Sequence, residues 1–276
     1  MPRLYGFGSG RISAGNGGQN IKHIAIRSQS VNTQGQPFTC TGLGDRIHQC
    51  TIAWVYGQTY DTPVTLHLTK DKWRGGQFGN KPESWREIAS LFPAGAIEFQ
   101  VHNKAGIPDA EWIAYLRAKG INAELYCYAD HPGQFESRER LDIAPYLRSV
   151  PALRADVCDI ALPERFFTAQ WDSNQARRTI DQGKRDKVIH AYRADGFQPV
   201  IVGGLATQKH LGWSLKHIAY AMSKAAFHVG CDSAFMHLAM LYMPMNRIHL
   251  YNEPDGFYSH HALRARDNGA VINLHL

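Results

Sequence analysis

The sequence is poor in the features that staple small secreted or metal-held proteins. Its 276 residues hold 5 cysteines, at positions 40, 50, 127, 158 and 231, and no two of them form a C-x-x-C pair. An odd number at that spacing supports neither a disulfide framework nor a zinc site and fits a reducing compartment. No apolar run approaches the ~18 residues of a membrane-crossing helix, and the first residues lack the apolar core of a signal peptide. The chain is therefore expected in the cytoplasm. Dense lysine and arginine runs are missing too, although the net charge is +6. That absence argues against a general nucleic-acid stripe. The surplus charge suits a mildly basic enzyme with an anionic partner, such as a phosphate-bearing substrate, and is compatible with peripheral contact with an anionic membrane surface.

What is present is an alternation of strand and helix signals. Residues 1–36 are rich in Gly, Ser, Asn and Gln and read as a flexible arm, with "IKHIAI" inside it as a short strand. From residue 37 the pattern changes. "PFTCTG" reads as a strand, "DRIHQCTIAWVYGQ" as a helix, "PVTLHLT" as a strand and "PESWREIASLFP" as a helix bounded by prolines. "AIEFQV", "PDAEWIAYLRAKG" and "INAELYCYA" continue as strand, helix and strand. A proline-rich stretch over 131–163 breaks the rhythm, which places a boundary near residue 160. Alternation then resumes through "ERFFTAQW", "QGKRDKVIHAYRADG", "FQPVIVGG", "SLKHIAYAMSKA", "AFHVG", "SAFMHLAMLY" and "NRIHLYN". Such alternation specifies parallel βαβ units. The expected fold is α/β, with two Rossmann-like domains facing a cleft, one over 37–160 and one over 161–276. Ligands of such sheets bind at the carboxyl ends of the strands.

Several strand ends carry residues with chemistry to offer. In "HVGCDSAFMHLAMLYMP" a strand runs into Gly-Cys-Asp-Ser and then a helix, so free backbone N–H groups and the helix dipole are available to a phosphate. Ser233 adds a hydroxyl and His237, one turn later, a ring donor, while Asp232 can accept from sugar hydroxyls. The plain alternative is an Asp or Ser N-cap with a core histidine. In "CTGLGDRIHQ", Gly42 and Gly44 allow close backbone approach, and Asp45 stands at a helix start, as a general base or as an N-cap. "QWDSNQARRTI" offers Gln170 together with Arg177 and Arg178, which can grip a phosphate or form a solvated pair. Gly203 and Gly204 end another strand, either for ligand approach or as ordinary turn chemistry. Asp130, His131 and Glu136 are weaker candidates, either lining a cleft or belonging only to a hinge, and His260 with His261 lack a third metal ligand at suitable spacing. No G-x-S-x-G, P-loop or H-E-x-x-H pattern occurs. Nor does Asp-x-Asp, the usual acidic clamp for a metal-bound nucleotide sugar, so no metal and no resident cofactor is expected.

The block "SLKHIAYAMSKAAFHVGCDSAFMHLAMLYMP" resembles the signature of the heptosyltransferase family, glycosyltransferase family nine. "GLGDRIHQ" resembles the G-x-G-D turn that opens the N-terminal domain of the same family, and "ERFFTAQWDSNQARR" and "VIVGG" fall where its C-terminal domain begins. Ala234 departs from the pattern, standing where the family has glycine. The resemblance implies a GT-B-like pair of Rossmann domains with the acceptor on the N-terminal side and the nucleotide sugar on the C-terminal side. It implies an inverting, metal-independent enzyme that moves a sugar from a nucleotide-sugar donor to a glycan or glycolipid acceptor. Carried across, Asp45 is the base, Asp232 contacts the donor sugar, Ser233 and His237 hold the diphosphate, and Arg177 or Arg178 supplies the basic phosphate-loop residue. Two other readings fit the same architecture: a nucleotide-sugar hydrolase or epimerase, and a non-catalytic nucleotide-sugar or glycan-binding protein.

Overall fold

The structure is a computed structural model that describes residues 22–26, 29–31, 37–39, 42–69, 82–104, 107–126, 153–173, 178–203, 212–231, 233–251 and 272–273. The first half is built from β1 (Lys22–Ile26), β2 (Gln29–Val31), β3 (Pro37–Thr39), α1 (Leu43–Thr59), β4 (Val64–Thr69), α2 (Pro82–Ala89), β5 (Ile97–His102), α3 (Asp109–Ala118) and β6 (Ala123–Tyr126). The second half holds β7 (Phe166–Gln170), α4 (Gln182–Ala194), β8 (Gln198–Ile201), α5 (Leu215–Lys224), β9 (His228–Gly230), α6 (Ala234–Tyr242), β10 (Ile248–Leu250) and β11 (Ile272–Asn273).

Both main sheets are parallel throughout. The first has the order β5-β4-β1-β6 and the second β11-β10-β9-β7-β8. Each reverses direction once, between β1 and β6 in the first and between β7 and β9 in the second. A crevice opens at such a reversal, outside the carboxyl ends of the strands. The expected α/β architecture of two Rossmann-like sheets is therefore observed.

Two expectations need correction. The short strand expected in "IKHIAI" is present, but it is an inner strand of the first sheet, Lys22–Ile26, with Ile24, Ala25 and Ile26 at 0, 0 and 1% exposure, so this part of 1–36 belongs to the domain placed over 37–160. Five residues suffice there because neighbours on both sides complete their hydrogen bonds. Residues 1–21 lie outside the described residues. "PFTCTG" does contain a strand, but β3 pairs antiparallel with β2 in a separate ribbon and is not the strand that feeds α1. That strand is β1.

Alternation along the strands sets the layers. Ile24, Ile26, Val64, Leu66 and Leu68 point to the face covered by α1 and α2, whereas Ala25 packs with Trp112, Ile113 and Leu116 of α3 on the other. In the second sheet Phe167, Ala169 and Val229 face Val188 of α4. The remaining face joins a cluster with α5 and α6, and that cluster is continuous with the one around α1 and α2. A single apolar core thus runs from sheet to sheet through four helices. α1 lies at its centre, and every residue from Arg46 to Gly57 is buried. A helix buried on all sides has little amphipathic signal. Polar contacts add to the joint: Glu87 of α2 accepts from the Leu215 N–H at 2.8 Å, and Tyr242 of α6 donates to the Leu91 carbonyl at 3.2 Å. Among the described residues no helix is long and apolar enough to cross a membrane.

Candidate functional site

The reversal in the second sheet puts Gln170, the last residue of β7, beside Gly230, the last of β9. The two chains are close there: a Cβ on Gly230 would lie 2.7 Å from the Gln170 carbonyl oxygen. Ser233 follows as the N-cap of α6, its hydroxyl accepting from the Phe235 N–H at 3.3 Å and donating to Gln170 Oε1. Gln170 in turn donates from Nε2 to the Asp172 carbonyl, and the Asp172 carboxylate pairs with Arg185. Gly203 serves this arrangement, since a Cβ there would fall 2.0 Å from Gln170 Cγ. Its lack of a side chain makes room for the glutamine. Asp232, Arg177 and Gly204 lie outside the described residues, as do Asp130, His131, Glu136, His260 and His261.

The start of α1 meets the start of α6. A Cβ on Gly44 would stand 3.3 Å from Ala234 Cα and 3.0 Å from His237 Cδ2. The small residues at both helix starts let the backbones close on one another. His237 lies in the notch that Gly44 leaves. Its ring meets His48, four residues beyond Gly44, edge to face, with centroids 6.2 Å apart and planes at 77°. The structure has the features of the plain alternative, with Ser233 as the N-cap and His237 buried, and both stand at the start of α6.

Asp45 is the third residue of α1. Its carboxylate accepts from the Gly42 N–H at 2.8 Å, so it does close the helix start. A helix start by itself favours the ionised form. Burial wins instead and pushes the Asp45 carboxyl up to about 6, against the Gly42 N–H and the guanidinium groups of Arg46 and Arg178, all of which pull it down. An acid tuned to that value is still largely ionised at neutral pH, and it accepts a proton more readily than an ordinary aspartate. Arg178 belongs to the second half of the chain, so charge from both halves acts on Asp45. Buried Arg46 lies over the Trp85 ring at 5.8 Å, and burial lowers its guanidinium to about 10, opposed by the charges of Asp45 and Glu87.

Asp45, Gly42, Gly44, Gln170, Arg178, Gly203, Ser233 and His237 therefore lie around the two helix starts. His48, Asp172 and Arg185 were not among the residues singled out in the sequence. For His48 the signal was available, because its spacing from Gly44 puts both on one helix face. The chemistry on offer is a pair of helix starts with N–H groups and an arginine for an anion, next to a carboxylate able to take up a proton. Among the described residues no group of three or more His, Cys, Asp and Glu side chains is placed to hold a metal ion.

No protein-family model and no curated protein matches the sequence. Solved structures do match the fold. The chain superposes on a glycosyl transferase family 9 protein from Veillonella parvula with a TM-score of 0.51 and 12% identity, over 92% of this chain and 85% of that one. For E. coli ADP-heptose LPS heptosyltransferase II the values are 0.52 and 11%, over 92% and 90%. The dodecameric iron-containing heptosyltransferase TibC, solved with ADP-D-β-D-heptose, gives 0.50 and 12%, over 85% of this chain but 58% of that one. The fold is that of these glycosyltransferases. At such identities the likeness extends to the arrangement of sheets and helices.

Proposed function

We propose that the chain is a glycosyltransferase that moves a sugar from a nucleotide-sugar donor to a hydroxyl of a glycan or glycolipid acceptor. The observation that carries this reading is the meeting of the two helix starts at Gly44, which faces Ala234 and His237 of α6 and is followed on α1 by Asp45. The donor diphosphate would lie at the start of α6, against its N–H groups, the Ser233 hydroxyl and His237. An adenosine diphosphate sugar is the first donor to try, because that is what TibC holds in its solved complex.

In the transfer step the acceptor oxygen attacks the anomeric carbon as its proton passes to an Asp45 carboxylate oxygen. The bond between the anomeric carbon and the diphosphate oxygen breaks, and the nucleoside diphosphate carries away the electron pair. Attack from the face opposite the leaving group inverts the anomeric centre through an oxocarbenium-like transition state. Charge that develops on the leaving oxygen is met by fixed N–H dipoles and by Arg178, which need no reorganisation during the reaction. Asp45 returns its proton to solvent before the next turnover. With these groups on the diphosphate, no divalent ion is required.

The test supplies a panel of ADP-, GDP- and UDP-sugars with and without glycan acceptors and measures released nucleoside diphosphate in EDTA. Release that requires an acceptor supports transfer. Release without acceptor makes the protein a hydrolase, and binding with no release makes it a binding protein. Activity that disappears with EDTA and returns with magnesium or manganese overturns the metal-free leaving-group assignment.

A further inference from the structure

His48 is a buried imidazole to which the transfer mechanism assigns no task. It sits at the centre of the joint between the halves, on the helix that carries Asp45, and it faces the helix that carries Ser233 and His237. We infer that His48 is a positioning residue: it fixes the plane and place of the His237 ring and, through that ring, the anion held at the start of α6. The inference rests on the glycosyltransferase reading, which supplies the anion.

The geometry behind it is a socket. Gly44 and His48 are four residues apart, so they stack on one face of α1. The missing side chain of Gly44 forms the floor, and its Cβ would lie 3.0 Å from His237 Cδ2. The edge-to-face contact with His48 forms the wall, an arrangement that aromatic pairs favour over face-to-face stacking. On its own helix the His237 N–H bonds back to the Ser233 carbonyl at 3.4 Å, which sets the height of the residue above the cap. A ring held by a glycine floor and an aromatic wall has lost its rotamer freedom before any ligand arrives. Ligand binding then avoids that ordering cost.

The chemistry of His48 fits a wall better than a ligand. Burial holds its imidazole well below the usual histidine range, and the neighbouring His237 lowers it further, so it stays neutral at physiological pH. A neutral ring adds no charge of its own to the anion site. The ring-to-ring contact with His237 is what it supplies, so a flat aromatic side chain should do much of the same work. A simple core filler behaves differently, because an aliphatic side chain of similar volume serves equally well.

The experiment is a calorimetric titration with ADP, GDP and UDP as probes, run on the wild type, His48→Phe, His48→Leu, His237→Ala and the His48→Leu/His237→Ala double variant, with the Tm of each recorded. For the nucleotide that wild type binds, His48→Phe should stay within about twofold of wild type, and His48→Leu should bind about three- to tenfold more weakly. In the His237→Ala background His48→Leu should cost no further affinity, because its action passes through the missing ring. Should His48→Leu fail to fold, His48→Asn carries the same comparison. Wild-type affinity in the non-aromatic variant overturns the inference, as does an equal loss with and without His237, and both leave the transferase reading standing. A wild type that binds none of the three nucleotides overturns the reading and the inference together.

Discussion

Asp45 answers to two demands that pull in opposite directions. As a helix cap it benefits from charge, and as a half-buried base it benefits from a carboxyl raised to about 6. Turnover should therefore fall as the pH drops through about 6, with the loss tracking a single protonation, because the protonated carboxyl is no longer basic enough to take up the acceptor proton. Initial rates against pH at saturating donor check this, and a flat profile across that range contradicts it. The stability consequence has the opposite sense. The unfolded chain releases this proton near 3.8 and the folded chain near 6, so ionising Asp45 in the fold lowers stability as pH rises across that interval, and stability stays lower above it. A second prediction concerns the α6 start. Ser233→Ala removes the hydroxyl that joins the Phe235 N–H to Gln170, and nucleoside diphosphate affinity should weaken by roughly 1 kcal/mol or more. Unchanged affinity in titration, with folding intact, would place the diphosphate elsewhere. The sequence showed both residues, because capping chemistry is local. It did not show the raised Asp45 carboxyl, since that depends on burial supplied by distant parts of the chain.

Helices were the easiest elements to read. Prolines and capping side chains marked their starts, and glycines marked two of their ends: Gly120 after α3 and Gly196 after α4 adopt φ of 76° and 83°, the left-handed conformation that stops a helix. β1 was harder, because "KHIAI" is short and sits in a polar, glycine-rich context. β11, two residues long, carried no signal at all. What local patterns could not reveal is the pairing of α1 with α6, which brings together residues almost 200 positions apart in the chain. Gly44 tests that pairing. A methyl group there meets Ala234 Cα at 3.3 Å and His237 Cδ2 at 3.0 Å, so Gly44→Ala must push the helices apart or turn the ring. A loss of stability of about 1–3 kcal/mol is expected, with weaker nucleotide binding alongside. Chemical denaturation and titration measure the two effects. Wild-type behaviour in both would mean the helix starts do not touch as described.

Across the whole molecule, a core continuous between the sheets binds the two halves, and a row of histidines lies on the face of the first sheet away from it. His23, His67 and His102 sit one per strand on the α3 face of the first sheet. They are linked by ring-to-ring hydrogen bonds of 3.0 Å, with His102 against Trp112 and Tyr115. Each bond needs one ring to donate and the next to accept, so an added proton breaks the chain. Burial lowers all three, to about 4 in His67, and lowers His228 in the second sheet to about 3. The unfolded chain binds these protons first, so stability should fall as pH drops below about 6.5 and level off only below the folded values. Urea midpoints across that range check this, and His67→Gln should flatten the acid limb; midpoints that do not move would contradict it. Composition could count the histidines, but their registration across three strands depends on the sheet order. The central claim, that this molecule transfers sugar with Asp45 as its base, is tested most directly by Asp45→Asn. Asparagine can still accept the Gly42 N–H but cannot take the acceptor proton. With the nucleotide sugar that wild type turns over, kcat should drop on the order of 100-fold or more while donor affinity holds and Tm at neutral pH stays equal or rises. Near-wild-type turnover in Asp45→Asn would contradict the account and leave Asp45 as a helix cap.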